Sequence, residues 1–138
     1  MLDRFAGMKS IFVACALLLA GRIAAQEAKE YTPRYFPLKL HFEEGRAWVV
    51  RSYDPDVTIE RGTELETING ETIPVLVDRL FKKLYFIGSD SLKYAALNHD
   101  FDRYYTSFTG VFEEYVLVWY IMGTGKKELG EVGALSRD

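Results

Sequence analysis

Polar and apolar residues alternate along residues 38–43, and this alternation predicts the first strand of the chain. Three apolar side chains alternate with three polar ones: Leu38, Leu40 and Phe42 with Lys39, His41 and Glu43. A period of two is typical of a strand that buries one face. Glu44 and Gly45 supply a turn, and the run AWVVRSY after them is rich in β-branched and aromatic residues. We therefore expect a β-hairpin in which His41 points to solvent.

A second, shorter hairpin is predicted within the run GTELETINGETI, residues 62–73. TELETI suits a short strand, and ETI suits its return. Asn69 and Gly70 between them form a strong turn signal, because both residues tolerate a positive φ angle. Pro74 follows, and proline fits the first turn of a helix because its missing N–H needs no partner there.

An amphipathic helix is predicted from Val75 to Ile87. Its apolar positions recur at helical spacing: Leu76, Val77, Leu80, Phe81, Leu84 and Ile87. Its charged positions lie on the other face: Asp78, Arg79, Lys82 and Lys83. Such a one-sided pattern is typical of a helix that packs on a core.

Residues 89–110 predict a helical insertion before the last strand. Ser89 or Asp90 can cap a first helix, which carries Leu92, Ala95 and Ala96. A second short helix is expected after Asn98, with aromatic residues at helical spacing: Phe101, Tyr104, Tyr105 and Phe108. The run YVLVWYIM then predicts the closing strand. The polar, glycine-rich residues 123–138 predict a linker or a frayed tail.

The N-terminal residues have the pattern of a secretory signal peptide. Arg4 and Lys9 precede an apolar run from Ile11 to Gly21, and the small-residue segment IAAQ follows. The run is shorter than the roughly 20 residues that a membrane span needs, which disfavours an uncleaved anchor. We expect residues 1–25 to be cleaved after Ala25, leaving an extended lead-in over residues 26–34. The protein is then exported, to a periplasm or out of the cell, with no stable membrane anchor.

Composition predicts one small globular domain after this leader. The chain has 138 residues, of which 49% are hydrophobic and 27% charged, as in a folded protein. The formal net charge of −3 argues against a nucleic-acid partner, which needs a basic surface. Cys15 is the single cysteine and lies in the leader, so the mature core is expected to form without disulfides.

The sequence offers few candidates for catalytic or metal chemistry. His41 and His99 are the two histidines. His99 lies in the run NHDFD, which suggests a metal loop, but the run lacks the glycine and the last glutamate of an EF-hand, so an exposed turn is the preferred interpretation. We expect no catalytic residues, no metal and no cofactor. For the many aromatic residues, core packing is preferred over a sugar-stacking or peptide surface, and one of Tyr104 and Tyr105 should be exposed.

Three segments in order resemble the region before the catalytic domain in secreted serine peptidases of the C-terminal processing (tail-specific) family: FPLKLHFEEGRAWVV, GTELETING and LNHDFDRYYTSFTG with EEYVLVWY. GTELETING also resembles the GDxIxxING stretch of bacterial PDZ domains, with Thr63 in the Asp place and Glu66 in a usually apolar place. The resemblance implies an α+β, PDZ-like domain over residues 35–122. That domain would be a small, partly open β-barrel or sheet with a flanking amphipathic helix and the helical insertion.

The resemblance implies a recognition module whose catalytic Ser and Lys belong to a separate downstream peptidase domain, so the chain alone is expected to be inactive. Its ligand would be a polypeptide segment or a protein C-terminus. The implied groove lies between the first hairpin strand and the amphipathic helix, and its residues are Phe36, Leu38, Leu40, Leu76 and Phe81. Pro37 has no N–H to donate, which weakens the carboxylate-binding loop implied at residues 35–38. The alternative is a free-standing exported protein that binds peptide or carbohydrate without enzymatic activity.

Overall fold

The computed structural model describes residues 34–136, which belong to one compact unit. The predicted signal peptide and almost all of the predicted lead-in lie outside the described residues. The elements, in chain order, are β1 (Arg34–Tyr35), β2 (Leu38–Glu43), β3 (Arg46–Ser52), β4 (Glu64–Ile68), β5 (Glu71–Thr72), α1 (Ile73–Lys83), a 3-10 helix (Tyr85–Ile87), α2 (Asp90–Thr109), β6 (Glu114–Tyr120), β7 (Lys127–Gly133) and β8 (Leu135–Ser136).

The main sheet has the strand order β2-β3-β4-β6-β7, with β5 paired to β4 beside this path. Each of these pairs is antiparallel. β1 and β8 form a separate antiparallel pair. Strands β2 and β7 are therefore the two edges of the main sheet. The predicted α+β class is confirmed, in the form of an open, mostly antiparallel sheet with two α-helices.

Both predicted hairpins are present. β2 and β3 pair across Glu44 and Gly45, whose φ angles are 49° and 72°. β4 and β5 pair across Asn69 and Gly70, with φ angles of 50° and 78°. Two successive positive φ angles are the geometry that twists a two-residue turn in the same sense as its strands. His41 is exposed on β2, as the alternation predicts.

The side chain of Asn69 explains why the turn carries asparagine. Its Oδ1 accepts from the Val116 N–H at 2.8 Å, and its own N–H donates to the Val116 carbonyl at 2.7 Å. Its Nδ2 also donates to the Tyr105 hydroxyl at 3.4 Å. Asn69 thus extends the pairing of β4 with β6 past the end of the strand and joins the turn to α2.

The core lies between one face of the sheet and the two helices. Aromatic rings fill the part of the core next to β1, β2 and α2: Phe36, Phe42, Phe101, Tyr105 and Tyr115. Phe36 lies edge-on to Tyr115, with ring centroids 4.8 Å apart, and edge-on to Phe101 at 5.3 Å. Core packing is therefore confirmed for these aromatic residues. Tyr105 is buried, whereas its neighbour Tyr104 is partly exposed, as expected for adjacent helical residues.

The helices follow the predicted boundaries with three differences. The predicted helix from Val75 to Ile87 begins earlier, at Ile73, and its last turn is a separate 3-10 segment. α2 runs through the predicted break between two helices, but Asp100 has non-helical angles (φ −151°, ψ 61°), so the helix is kinked there. Ser89 caps α2, with its side chain accepting from the Leu92 N–H. Neither helix within residues 34–136 is long and apolar enough to cross a bilayer.

The predicted linker or frayed tail over residues 123–138 is incorrect for most of its length. Residues 127–133 form β7, which pairs with all of β6, and β8 pairs with β1. Gly130 looks like a linker residue in the sequence, but the ring of Trp119 lies directly over it: a Cβ added at Gly130 would be 2.7 Å from Cη2 of that ring. The glycine leaves room for the indole, so glycine here belongs to a strand.

Candidate functional site

Strand β2 exposes one edge of the main sheet toward α2. In an antiparallel pair, alternate residues turn their N–H and C=O groups away from the partner strand. The register with β3, which shifts between Lys39 and Leu40, turns these groups outward at Leu38, Leu40 and Phe42. Just before the strand, the Phe36 N–H also bonds to α2 and not to β3. The Tyr53 N–H donates to the carbonyl of Pro37 at 2.8 Å, so residue 37, between the outward residues 36 and 38, faces the chain that follows β3. The outward groups form a row of donors and acceptors along the edge.

Helix α2 supplies polar side chains to both ends of this row. Asn98 bonds Phe42 twice: its Oδ1 accepts from the Phe42 N–H at 2.6 Å, and its Nδ2 donates to the Phe42 carbonyl at 3.1 Å. Asp102 lies one turn further on, and its Oδ1 accepts from the Phe36 N–H at 2.6 Å. Tyr94, one turn before Asn98, accepts from the Gly45 N–H at 2.8 Å. The three side chains lie on one face of the helix because they are spaced four residues apart.

The Asn98–Phe42 and Asp102–Phe36 contacts are the two anchors of this edge. A cavity of about 300 Å³ opens along the edge between them. This volume is at the lower end of the range for ligand sites. Its lining combines the strand with the kink of α2: Tyr35, Phe36, Leu38, Lys39, Leu40, Tyr53, Asn98, His99, Asp100, Phe101 and Asp102. Among the described residues, the backbone groups of Leu38 and Leu40 that face this side have no hydrogen-bond partner. The cavity therefore offers an unpaired stretch of strand edge.

The charges around the cavity are unevenly placed. Asp100 and Asp102 lie on its helical side, and Lys39 lies on its strand side. The Lys39 Nζ donates to the backbone carbonyl of Asn98 at 3.2 Å, so this ammonium is held against the helix. Tyr53 is 40% exposed and carries the guanidinium of Arg51 over its ring, 4.8 Å from the centroid.

Behind Phe36 the environment is strongly apolar. Burial raises the pKa of Tyr115 to about 12, and the negative charge of Asp102 and the nearby Tyr105 act in the same direction. The pKa of Tyr105 is also raised, again mainly by burial. Phe36 thus separates the cavity from a core in which charged groups are poorly solvated.

The structure brings together three of the five residues that the sequence assigns to a groove. Phe36, Leu38 and Leu40 line the cavity, although their side chains are themselves largely buried in the core. Leu76 and Phe81 do not line it. Leu76 is fully buried, and Phe81 packs edge-on against Tyr94 with ring centroids 4.7 Å apart. The helix along the β2 edge is α2, whereas the sequence-based groove uses α1.

Asn98 and Asp102 are the functional candidates that the sequence did not reveal. Both lie in the run NHDFD, for which the sequence favours an exposed turn over a metal loop. Within residues 34–136, no three acidic or histidine side chains are close enough together to hold a metal ion. The available signal was their spacing: two polar side chains four residues apart on a predicted helix share a face. Nothing in that spacing indicates which strand they contact.

Comparison with known proteins shows a likeness of fold. No family model matches the sequence, and no curated protein matches it. Among solved structures, the chain is similar to mature CPAF complexed with lactacystin, with a TM-score of 0.52 at 17% identity over 76% of this chain. CPAF is a chlamydial serine protease. A second structure of mature CPAF gives a TM-score of 0.48 at 16% identity. The chain spans 20% of the CPAF chain, so the described domain shares the fold of one part of that protease.

Proposed function

We propose that residues 34–136 form a PDZ-like peptide-recognition domain of a secreted serine peptidase of the C-terminal processing type. The catalytic domain of that peptidase would lie elsewhere in a longer protein. Two lines support the proposal: the ordered sequence segments that resemble this family, and the fold shared with part of a serine protease. On this view the domain binds polypeptide and presents it to a separate active site.

The observation that carries the proposal is the unpaired part of the β2 edge. An extended peptide binds such an edge by adding a strand, so that its main chain pairs with the outward N–H and C=O groups. Leu38 and Leu40 present these groups to the cavity, between the anchors at Phe36 and Phe42. Tyr35 and Tyr53 lie along the same opening and can contact side chains of the added segment.

The proposed ligand is a short extended segment with apolar side chains. The two anchors limit the length of the paired segment. Asn98 is already hydrogen-bonded to the N–H and C=O of Phe42, and Asp102 already accepts from the N–H of Phe36. The pairing is therefore restricted to two outward residues, and we expect weak binding. A weak, short contact suits a domain that must release its substrate to a catalytic site.

The test is a titration of the ¹⁵N-labelled chain with an apolar extended peptide, followed by two-dimensional NMR. We expect the amide signals of Leu38 and Leu40 to shift most, because they form the new hydrogen bonds. The same peptide with N-methyl groups at alternate residues loses its donors and should bind at least about tenfold more weakly, in line with the loss of two hydrogen bonds.

Two tyrosine variants test whether the peptide binds at this cavity. Tyr53→Ala removes a ring from the cavity and should weaken binding, whereas Tyr85→Ala removes a ring that is 79% exposed and does not line the cavity. Equal effects of the two variants, or shifts confined to residues of α1 or β7, would show that the β2 edge is not the binding site.

A further inference from the structure

In the loop that the family resemblance assigns to a peptide's terminal carboxylate, residues 35–38, a carboxylate of the chain itself is already bound. In the loop before β2, the Phe36 N–H donates to Oδ1 of Asp102 at 2.6 Å. The next residue is Pro37, which has no N–H. The hydroxyl of Thr106 donates to the same Asp102 oxygen at 3.3 Å, which fixes the carboxylate from within α2. Of residues 36–38, Leu38 alone therefore keeps an N–H group for a second carboxylate, and that group is also the one that would pair with the peptide main chain.

We infer that this site selects internal segments of a polypeptide over free C-termini, because Asp102 takes the place of a terminal carboxylate. The inference rests on the proposed function and names its substrate class. The charges of the cavity lining support this inference, in addition to the geometry. A terminal carboxylate at this end of the cavity would lie beside Asp100 and Asp102, and like charges repel more strongly where they are partly shielded from water.

Among the lining residues within residues 34–136, Lys39 is the one lysine or arginine, and it is not positioned to offset this repulsion. Lys39 is engaged with the carbonyl of Asn98, nearer the other anchor. Arg51 lies over the ring of Tyr53 and is not part of the lining. A segment that continues past Asp102 as neutral backbone avoids the repulsion and still pairs with Leu38 and Leu40.

The test compares three peptides that share one apolar core sequence. The first ends in a free carboxylate, the second is amidated at the same residue, and the third continues with polar residues at both ends. For the native chain we expect the amidated and continued peptides to bind about two- to fivefold more tightly than the peptide with the free carboxylate, since a like-charge contact near the surface is modest.

Two substitutions of Asp102 distinguish the effect of its hydrogen bond to the Phe36 N–H from the effect of its negative charge. Asp102→Ala removes the internal acceptor and exposes the Phe36 N–H, so the peptide with the free carboxylate should gain about tenfold while the amidated one changes little, as expected for one charge-assisted hydrogen bond. Asp102→Asn keeps an acceptor oxygen without the charge, so it should relieve the repulsion but produce no preference for the free carboxylate. Asp100→Ala is the matched control for charge, because it removes a neighbouring carboxylate without freeing the Phe36 N–H; it should relieve part of the repulsion and produce no preference for the free carboxylate.

The outcomes are distinct from those of the proposed function. If the native chain binds the peptide with the free carboxylate as tightly as the amidated peptide, or more tightly, the selection for internal segments is wrong, while peptide binding at the β2 edge stands. If neither the native chain nor Asp102→Ala binds any of the three peptides, the proposed function fails and this inference fails with it. Circular dichroism and the amide spectrum of each variant establish that it is folded before binding is compared.

Discussion

Tyr115 shows how one residue connects the aromatic core to the pH dependence of stability. The side chain is 1% exposed and packs against Phe36 and Phe112, with ring centroids 4.8 and 5.7 Å away. Burial raises the pKa of its hydroxyl to about 12, with smaller contributions from Asp102 and Tyr105, while a hydrogen bond with the Phe112 backbone acts in the opposite direction. The folded protein therefore binds this proton more tightly than the unfolded chain, whose tyrosines titrate near 10.

This difference predicts a loss of stability at alkaline pH. The contribution of Tyr115 is fully present below pH 10 and disappears as the pH rises through about 12, because the unfolded chain loses the proton first. Two pKa units correspond to at most about 3 kcal/mol. We expect urea unfolding at pH 9 and pH 11.5 to show a smaller pH dependence for Tyr115→Phe than for the native chain. Tyr85→Phe, at an exposed position, should leave the pH dependence as it is; equal behaviour of both variants would contradict the assignment.

At the same scale, the sequence predicts burial well and long-range polar contacts poorly. The alternation of Leu38, Leu40 and Phe42 is a local pattern, and all three are buried. The hydrogen bonds of Asn98 to Phe42 and of Asp102 to Phe36 join residues 56 and 66 positions apart. A single sequence holds no local signal for such pairs, because they depend on how the kinked helix lies against the strand. The candidate site was therefore predicted on its strand side and missed on its helix side.

Among the elements, β7 was missed because its core-facing positions do not look apolar. Its residues opposite Trp119, Leu117 and Tyr115 are Glu128, Gly130 and Val132. Only Val132 of these is a buried apolar side chain, and the exposed Leu129 lies on the other face. The indole of Trp119 fills the space over Gly130 and supplies the burial that the strand itself lacks. A strand whose core contact comes from its neighbour cannot show the period-two pattern.

Paired glycine substitutions test this account of β7. Gly130→Ala brings a methyl group to within 2.7 Å of the Trp119 ring, so the ring must move. The lost packing should outweigh the entropy gained on replacing glycine and destabilise the protein by about 1 kcal/mol. Gly133→Ala meets no atom within 4 Å and should be neutral or slightly stabilising. Urea unfolding gives the free energies, and Trp119 fluorescence in a Trp48→Phe background reports the ring. A stable Gly130→Ala variant with unchanged fluorescence would show that the indole does not pack on β7.

The hairpins and helices were predictable because each has a local cause. Asn69 and Gly70 fix a turn by their tolerance of positive φ, and Ser89 begins α2 by capping it. The choice of which helix lies along β2 was not predictable from the helices alone. α1 has the stronger apolar face in the sequence, yet it packs over β3, β4 and β5. α2 contacts β2 both through Phe101, whose ring centroid lies 5.0 Å from that of Phe42, and through the polar side chain of Asn98. A pattern of apolar residues does not reveal the polar part of this contact.

For the whole molecule, the proposed role requires export, and the core is compatible with it. No cysteine lies within residues 34–136, so the described domain needs no disulfide chemistry in an oxidising compartment. Its stability rests on one cluster that joins the sheet to both helices. The chain spans 20% of the CPAF chain that it resembles in fold, and the recognition role proposed above would require a separate catalytic domain.

The pattern of the N-terminal leader predicts that the protein is exported. The apolar run from Ile11 to Gly21, after Arg4 and Lys9, is the kind of segment that a secretion channel recognises. Expressed with this leader in a Gram-negative host, the protein should be recovered from the periplasm with Gln26 as its first residue, as N-terminal mass analysis will show. The control is Leu18→Arg, which places a charge in the middle of the apolar run and should leave the chain uncleaved in the cytoplasm. Native protein that stays in the cytoplasm with its leader intact would exclude export, and an exported protein that keeps its leader would support the uncleaved anchor instead.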